Sequence, residues 1–248
     1  MNGLVWNCRG LNDPLAPIIT KIRALLSTKH YDFVFLSETK CMVEDVSPIC
    51  RPFGMVNHVG VDALGSSGGL WLGWRKMINL SVVFKCKNFI ICLVEQCKER
   101  SWFLCCVYGD PYVSNRNDVW QHLGSWLELL DRPYLLIGDF NQVEYNWDKL
   151  SQKCGRIDGA NDFTLWKQNY QLLDIPFKGP RFTWWNIRKG KKKVYERLDK
   201  ALGSKDWFSI FPESGVHHFP IQLSDHAPIE FSPDLTKSKG LRPYKIES

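Results

Sequence analysis

No stretch of this chain approaches the roughly 18 consecutive apolar residues that a membrane-spanning helix needs, so no membrane association is expected. The first residues lack the charged start and long apolar core of a secretory leader and open directly into a strand-like segment, so secretion is not expected either. Nine cysteines are present, an odd number, and none form a CxxC pair. That disfavours a zinc site or a disulfide framework and fits small buried hydrophobes in a reducing compartment. No linker, repeat or low-complexity block divides the sequence. The glycine-rich run Gly65-Ser66-Ser67-Gly68-Gly69 lacks a following Lys-Ser/Thr pair and precedes a strand, so it reads as a tight turn and not a phosphate-binding loop.

What is present is apolar and aromatic. Of 248 residues, 44% are apolar, with 11 Trp and 14 Phe, enough for a large core. Short apolar runs at 4–6, 33–36, 70–74, 80–84, 89–94, 102–108, 134–137, 182–185, 194–202 and 228–231 read as strands, several covered on both faces. Adjacent Cys105 and Cys106 would then point to opposite faces. Helical stripes lie between strands: Ile18, Ile22, Leu25 and Leu26 behind Pro14 and Pro17; Val119, Leu123, Trp126, Leu127 and Leu130; and Phe163, Trp166 and Tyr170. The expectation is one α/β domain over residues 1–233, two packed sheets with helices outside, followed by a polar tail at 234–248.

The net charge of +6 is unevenly spread. Residues 181–205 hold nine Lys/Arg against two acids, and the remainder is near neutral. Within that segment, two aromatic strand-like halves flank a tip containing Arg188, Lys189, Gly190, Lys191, Lys192 and Lys193. This pattern predicts a β-hairpin. A basic hairpin of this kind suits the groove of duplex DNA; a solubilising hairpin with a lysine-blunted edge is the alternative.

Four polar breaks at apolar strand ends carry the chemistry. Asp139 and Asn141 follow the run Leu135-Leu136-Ile137-Gly138; two apart on extended backbone, they would share one pocket, where the carboxylate accepts a proton and the amide orients water, or they form an Asx turn. Glu38 ends a second strand, a position suited to a hard divalent cation or to a solvated charge. Asn7 ends the first strand ahead of Gly10. The fourth is Ser224-Asp225-His226, which supplies a metal ligand and a proton-transfer group. Asp199 interrupts an apolar strand and pairs either with His226, favouring its cationic form, or with Arg197 or Lys200. Tyr108, at another strand end, either donates to a phosphoryl group or packs.

The ordered set Trp6-Asn7…Gly10, Ser37-Glu38-Thr39, Tyr108, Gly138-Asp139-Phe140-Asn141, Arg197-Leu198-Asp199 and Ser224-Asp225-His226 resembles the endonuclease/exonuclease/phosphatase superfamily. The resemblance runs from about residue 3 to 232. The opening Trp6-Asn7-Cys8-Arg9-Gly10-Leu11, Ser67-Gly68-Gly69-Leu70 and Leu198-Asp199-Lys200-Ala201-Leu202 look like the endonuclease domain of plant LINE-type (non-LTR) retrotransposons. Leu241-Arg242-Pro243-Tyr244 resembles the bridge toward reverse transcriptase in those polyproteins.

The resemblance implies a DNase I-like four-layer α/β sandwich and a nuclear Mg²⁺-dependent enzyme, with Mn²⁺ as an alternative ion, that nicks one strand of duplex DNA to leave a 3′-hydroxyl for target-primed reverse transcription. It implies that Glu38 holds the metal with Asn7 and Asp225 nearby. Asp139 would deprotonate water positioned by Asn141, and His226, paired with Asp199, would stabilise the phosphorane with support from Tyr108. Thr183 would contact substrate. Arg9 stands where abasic-site repair relatives carry an acid, which disfavours dedicated repair and a second metal. Tyr195-Glu196-Arg197-Leu198-Asp199 departs from the Trp-Cys-Asp-Arg signature of the inositol-phosphatase branch. A decayed DNA-binding relic and an abasic-site endonuclease are the rival expectations.

Overall fold

A computed structural model describes residues 1–95, 101–151, 155–186 and 193–236. Two large sheets form its centre. The first runs β11 (Phe177–Lys178), β15 (Gly215–His218), β16 (Ile229–Ser232), β1 (Gly3–Asn7), β2 (Phe33–Ser37), β4 (Leu70–Arg75) and β3 (Met55–Val61). The second runs β10 (Leu173–Asp174), β14 (Asp199–Gly203), β8 (Tyr134–Asp139), β7 (Ser101–Tyr108), β6 (Phe89–Glu95) and β5 (Leu80–Lys85). Both are mixed: β1 pairs parallel with β2 and antiparallel with β16, and β8 pairs parallel with β7 and antiparallel with β14.

Side-chain alternation sorts the apolar residues into three layers. Val5, Phe35, Leu72, Ile90, Cys106, Leu135, Ile137 and Ala201 meet between the sheets. Leu4, Trp6, Val34 and Leu36 face outward onto α1 (Pro17–Thr28) and α2 (Val43–Cys50). Ile91, Cys105, Val107 and Leu136 face outward onto α3 (Val113–Leu127) and α4 (Ala160–Asn169). Cys105 and Cys106 thus point to opposite faces, as their adjacency in a strand requires. Cys8, Cys41, Cys50, Cys86, Cys92, Cys105 and Cys106 are all unpaired. The result is the expected four-layer α/β sandwich. A one-turn helix, α5 (Trp207–Ile210), closes one end by packing Trp207 on Trp102 and Phe231.

Three details differ from the sequence reading. The run at 194–202 is not one strand. It splits into β13 (Val194–Glu196) and β14, and Arg197-Leu198 carry the chain from one sheet to another. The strand read at 182–185 becomes β12 (Trp184–Asn186). With β9 (Lys149–Leu150), these form a small sheet in the order β12-β13-β9. Helix α2 and strand β3 gave little signal, because α2 contains Pro48 and β3 is a half-exposed edge strand. The 65–69 run is the tight turn expected, with Leu64 and Ser67 exchanging backbone hydrogen bonds.

The junction at Arg197 rests on buried charge. Arg197 grips Asp148 through two hydrogen bonds of 2.8 and 3.1 Å. Lys200, fully enclosed, reaches the same carboxylate at 3.5 Å, and Lys167 pairs with Glu144 and Asp174. Burial pulls the Lys200 ammonium down to about 8, with the nearby Arg197 charge adding to the effect. Removing one member of such a buried pair strands the other. Asp148→Ala is therefore expected to lower unfolding free energy in urea by about 3–5 kcal/mol. Arg132→Ala, which breaks an exposed pair with Asp131, should cost less than about 1 kcal/mol.

Candidate active site

The inter-sheet core ends in polar residues at one mouth. Along β1, Val5 faces inward, and so therefore does Asn7; along β8, Ile137 is followed by Asp139 in the same way. On β7, Tyr108 continues the parity of Cys106, and on β14 Asp199 precedes Ala201. The residues that fill the apolar core thus hand over to acids and amides at its rim. β14 and β8 are in register there, with Asp199 directly opposite Asp139, and Tyr108 opposite Asp139 on the other side.

His226 enters from the loop between β15 and β16. Trp6 Nε1 donates to its carbonyl oxygen at 2.9 Å, and Ser224 Oγ links the His226 N–H to the Asn7 carbonyl. That explains the serine of the Ser224-Asp225-His226 run: its hydroxyl ties the loop to the end of β1. His226 Nδ1 lies 2.9 Å from Asp199 Oδ2, and Nε2 lies 3.6 Å from Asp139 Oδ2. Burial opposes charge on this ring, yet the carboxylates of Asp199 and Asp139 overcome it and raise His226 to about 10. His226 is therefore a cation held between two acids. Arg197 and Lys200, the other partners considered for Asp199, bind Asp148 instead.

Protonation of His226 settles the surrounding hydrogen bonds. With both ring nitrogens donating, the Asn7 amide cannot give a proton to Nε2, although the two atoms are 3.4 Å apart. Its two N–H groups go to Asp139 Oδ2 at 2.9 Å and Glu38 Oε1 at 3.1 Å. Tyr108 donates to the same Glu38 oxygen at 3.0 Å. Burial and the carboxylates of Glu38 and Asp139 push the phenol far up, so Tyr108 remains a donor. Burial would raise the Glu38 carboxyl, but the Asn7 and Tyr108 hydrogen bonds, aided by the charges of His226 and Lys40, hold it below its ordinary range. Asp139 goes the other way: burial, with the Asp199 charge adding to it, outweighs His226 and the Asn7 and Asn141 hydrogen bonds and raises it to about 6.

Asn141 reaches the site by a turn and not by extended alternation. Its N–H donates to Asp139 Oδ1 at 2.8 Å, an Asx turn, and its Nδ2 donates to the Gly109 carbonyl. The two readings of this segment are therefore one structure: Oδ1 of Asp139 closes the turn while Oδ2 serves the site. Asn141 has φ +52°, and Arg9, Glu38 and Lys40 have φ between +51° and +55°. Four of the six non-glycine residues with positive φ among those described thus flank this mouth, where strained backbone re-aims side chains at strand ends. Gly138 has φ +150°, and a Cβ there would collide with the Val107 carbonyl.

One expected contact, that of Thr183, is placed differently. Thr183 is fully buried, and its Oγ1 accepts the N–H groups of both Leu198 and Asp199 at 3.0 Å. It stands behind the site, holding β14 in place, and presents no surface to a substrate. Asp225 lines the same cleft as Glu38 but is engaged by Trp184 Nε1 at 2.9 Å and by Arg9. Arg188, Lys189, Lys191 and Lys192 lie outside the described residues, and Lys193 is exposed at the start of β13.

The mouth opens into a cleft of about 430 Å³. Arg9, Arg116, Lys149 and Arg156 stand around it with Asn141, Trp184 and His226. Only Arg9 of these four cations drew notice in the sequence. Arg116 is fixed by donating to the carbonyls of Asp110 and Pro111 and to Gln142. The cleft thus offers positive charge at its rim, with a buried carboxylate and a cationic imidazole at its floor.

Asp139, Asp199 and His226 bring three donor atoms within 4.8 Å of one another, a group that could hold a metal. The protonated imidazole argues against ligation by His226, since its ring nitrogens have no free lone pair. A hard divalent ion fits better at Glu38, whose Oε2 has only the longer contacts to Lys40 and Arg9, 3.6 and 3.8 Å, with the Asn7 carboxamide beside it.

A sequence profile of the Endonuclease/Exonuclease/phosphatase family matches residues 4–226. No curated protein resembles the chain closely enough in sequence to count as a match. Among solved structures, the AP endonuclease LMAP of Leishmania major is 16% identical with a TM-score of 0.74, covering 93% of this chain and 86% of that one. The 3′ phosphatase NExo (D146N) from Neisseria, bound to a product DNA hairpin, is 17% identical with a TM-score of 0.70, covering 94% and 98%. The endonuclease domain of TRAS1, a telomere-specific non-LTR retrotransposon, is 16% identical with a TM-score of 0.66, covering 93% and 96%. At these identities the likeness is one of fold. No helix among the described residues is long and apolar enough to cross a membrane.

NMR titration of the His226 ring tests the electrostatic assignment. The ring should hold its proton to about 10 in the wild-type protein. Asp199→Asn should bring its titration down toward neutrality, and a wild-type ring titrating near 6.5 would contradict the assignment.

Proposed function

The chain belongs to the Endonuclease/Exonuclease/phosphatase family, and from that premise we propose that it is a Mg²⁺-dependent DNA endonuclease. It nicks one strand of duplex DNA, leaving a 3′-hydroxyl that primes reverse transcription for a non-LTR retrotransposon. The observation that carries this reading is the convergence of Asp139, His226, Asp199, Asn7 and Glu38 at the floor of a cation-lined cleft. These residues come from five separate stretches of sequence.

Each group has a chemical task. Asp139, raised to about 6, is ionised at neutral pH yet basic enough to take a proton from attacking water. Asn7 and the Asn141 backbone hold that carboxylate in place. The new bond joins the water oxygen to phosphorus, the bond from phosphorus to the 3′ oxygen breaks, and that oxygen takes a proton from solvent to become the 3′-hydroxyl. The His226 cation stabilises negative charge as it builds on the phosphoryl oxygens, and Asp199 keeps the ring charged and oriented. Tyr108, held as a protonated phenol, fixes Glu38. Glu38 and Asn7, with Asp225 beside them, would hold Mg²⁺, which when bound would supply Lewis-acid polarisation of the phosphate. Arg9, Arg116, Lys149 and Arg156 take the flanking phosphates, and the basic segment at 188–192, which lies outside the described residues, adds positive charge for the same polyanion. Action on chromosomal DNA places the enzyme in the nucleus, within a longer polyprotein carrying reverse transcriptase.

The TRAS1 domain shares this fold, which supports the retrotransposon reading. Shared fold with an AP endonuclease keeps abasic-site cleavage as the second reading. Arg9 weighs against it, because a guanidinium spans Asp225 and Glu38 where those relatives carry an acid.

Conversion of supercoiled plasmid to open circle is the direct assay. Asp139→Ala and His226→Ala are each expected to lose about 10²-fold or more while keeping a native circular dichroism spectrum. EDTA should stop the reaction and Mg²⁺ restore it; metal-independent binding without cleavage would identify a decayed relic. Strong preference for an abasic duplex over an intact one would favour repair. In a separate pH series, nicking should rise through about 6 as Asp139 ionises and fall through about 10 as His226 loses its proton. An activity unchanged between pH 5 and 7 would remove Asp139 as the base.

A further inference from the structure

The small sheet β12-β13-β9 has two unlike faces. Its register opposes Trp184 with Glu196 and Glu196 with Lys149, and one residue along it opposes Trp185 with Tyr195 and Tyr195 with Leu150. Opposed residues in antiparallel strands point the same way, and neighbours along a strand point opposite ways. Trp184, Glu196 and Lys149 line the active-site cleft. Trp185, Tyr195 and Leu150 therefore face away from it.

That second face is aromatic, partly open and positively charged. Leu150 is 56% exposed, and Trp185, Tyr195 and Phe182 are each half-buried. The Phe182 and Tyr195 rings lie 6.1 Å apart. Two exposed cations sit over the rings: Lys193 Nζ is 5.6 Å from the centre of Trp185, and the Arg181 guanidinium is 5.7 Å from that of Phe182. Glu196 is the only acid between residues 181 and 196, and it sits on the cleft face, paired with Lys149 at 2.6 Å. The positive charge of the outward face is thus uncompensated within its own strands.

Rings that can stack bases, with cations beside them to take phosphates, match the chemistry of an unpaired polynucleotide strand. A duplex cannot use these rings, because its base faces are hidden in the stack. We propose that this outward face binds single-stranded DNA, and that its natural ligand is the unpaired strand end beside a nick. The cleft proposed to make that nick lies on the other side of the same three strands. The proposal rests on the nuclease reading only for the source of the strand; the binding chemistry stands on the face itself.

Fluorescence anisotropy of a labelled 15-residue oligothymidylate, measured in EDTA with the full chain, separates the two ideas, because no cleavage is involved. Wild-type protein is expected to bind it in a salt-dependent manner. Trp185→Ala should weaken binding about tenfold or more, the size of one lost stacking contact. Trp185→Phe should retain most of it. Leu150→Asp, at an exposed position that tolerates a polar side chain, should weaken it by placing a carboxylate among the cations. Both Trp185→Ala and Leu150→Asp should nick plasmid as the wild type does. No binding of the oligomer by wild-type protein would overturn the proposal. So would unchanged binding by both variants, or an equal loss of single-stranded and duplex binding in each. Failure of plasmid nicking with oligomer binding intact would instead count against the nuclease reading alone.

Discussion

A positively charged imidazole enclosed by two carboxylates is the interaction on which the rest of this site depends. His226 keeps its proton because Asp199 and Asp139 face it, against the cost of burying a charge. That proton then decides which way the Asn7 amide points, and the amide in turn joins Asp139 to Glu38. Tyr108 completes the chain from the other side of Glu38. A single charge state thus orders donors from the first strand to the last loop. It also sets the acids apart: Asp199 faces the ring, Asp139 is raised to about 6, and Glu38 is held below its ordinary range by its neighbours.

The fold makes this possible with modest means. Two sheets pack through side chains of alternating parity, and the same parity, continued past the apolar core, delivers Asn7, Tyr108, Asp139 and Asp199 to one rim. Backbone strain at Arg9, Glu38, Lys40 and Asn141 supplies the last adjustment where alternation alone would point side chains elsewhere. Behind the rim, Thr183 and the Arg197–Asp148 pair brace the chain at the point where it leaves the small sheet and enters the large one.

Much of this was legible in the sequence because it follows from period two. Continuous apolar runs gave the buried strands, and polar residues at the ends of some of them, Asn7, Glu38, Tyr108 and Asp139, marked the rim. That Asp199 needs a partner could be read because a buried acid demands one; the local pattern left His226, Arg197 and Lys200 open, and the resemblance pointed to His226. What escaped had a different physical basis. Arg116, Lys149 and Arg156 reach the cleft by tertiary packing, and nothing in their local pattern distinguishes them from solvated cations. Helix α2 was hidden by Pro48 and β3 by its exposed edge. The break at Arg197-Leu198 was invisible because both halves have strand-like composition; only the buried partner Asp148, about fifty residues away in the chain, shows why the strand must change sheets there. Thr183 was expected, from the resemblance, to contact substrate, whereas its hydroxyl is used up by two backbone N–H groups.

The bracing at this crossing also sets the limits of modular exchange. Strands β12 and β13 are tied to the rim through Thr183, through Trp184 and Trp185 against Asp225, and through the Arg197-Leu198-Asp199 turn. A foreign segment spliced between Asn186 and Val194 leaves those anchors in their native frame. One spliced a few residues deeper would replace the hydroxyl that holds the Asp199 backbone or the guanidinium that holds Asp148, and the graft would come with a disarmed imidazole. The seam between what can be traded and what cannot is thus written as a pair of buried hydrogen-bonding side chains and not as a loop boundary.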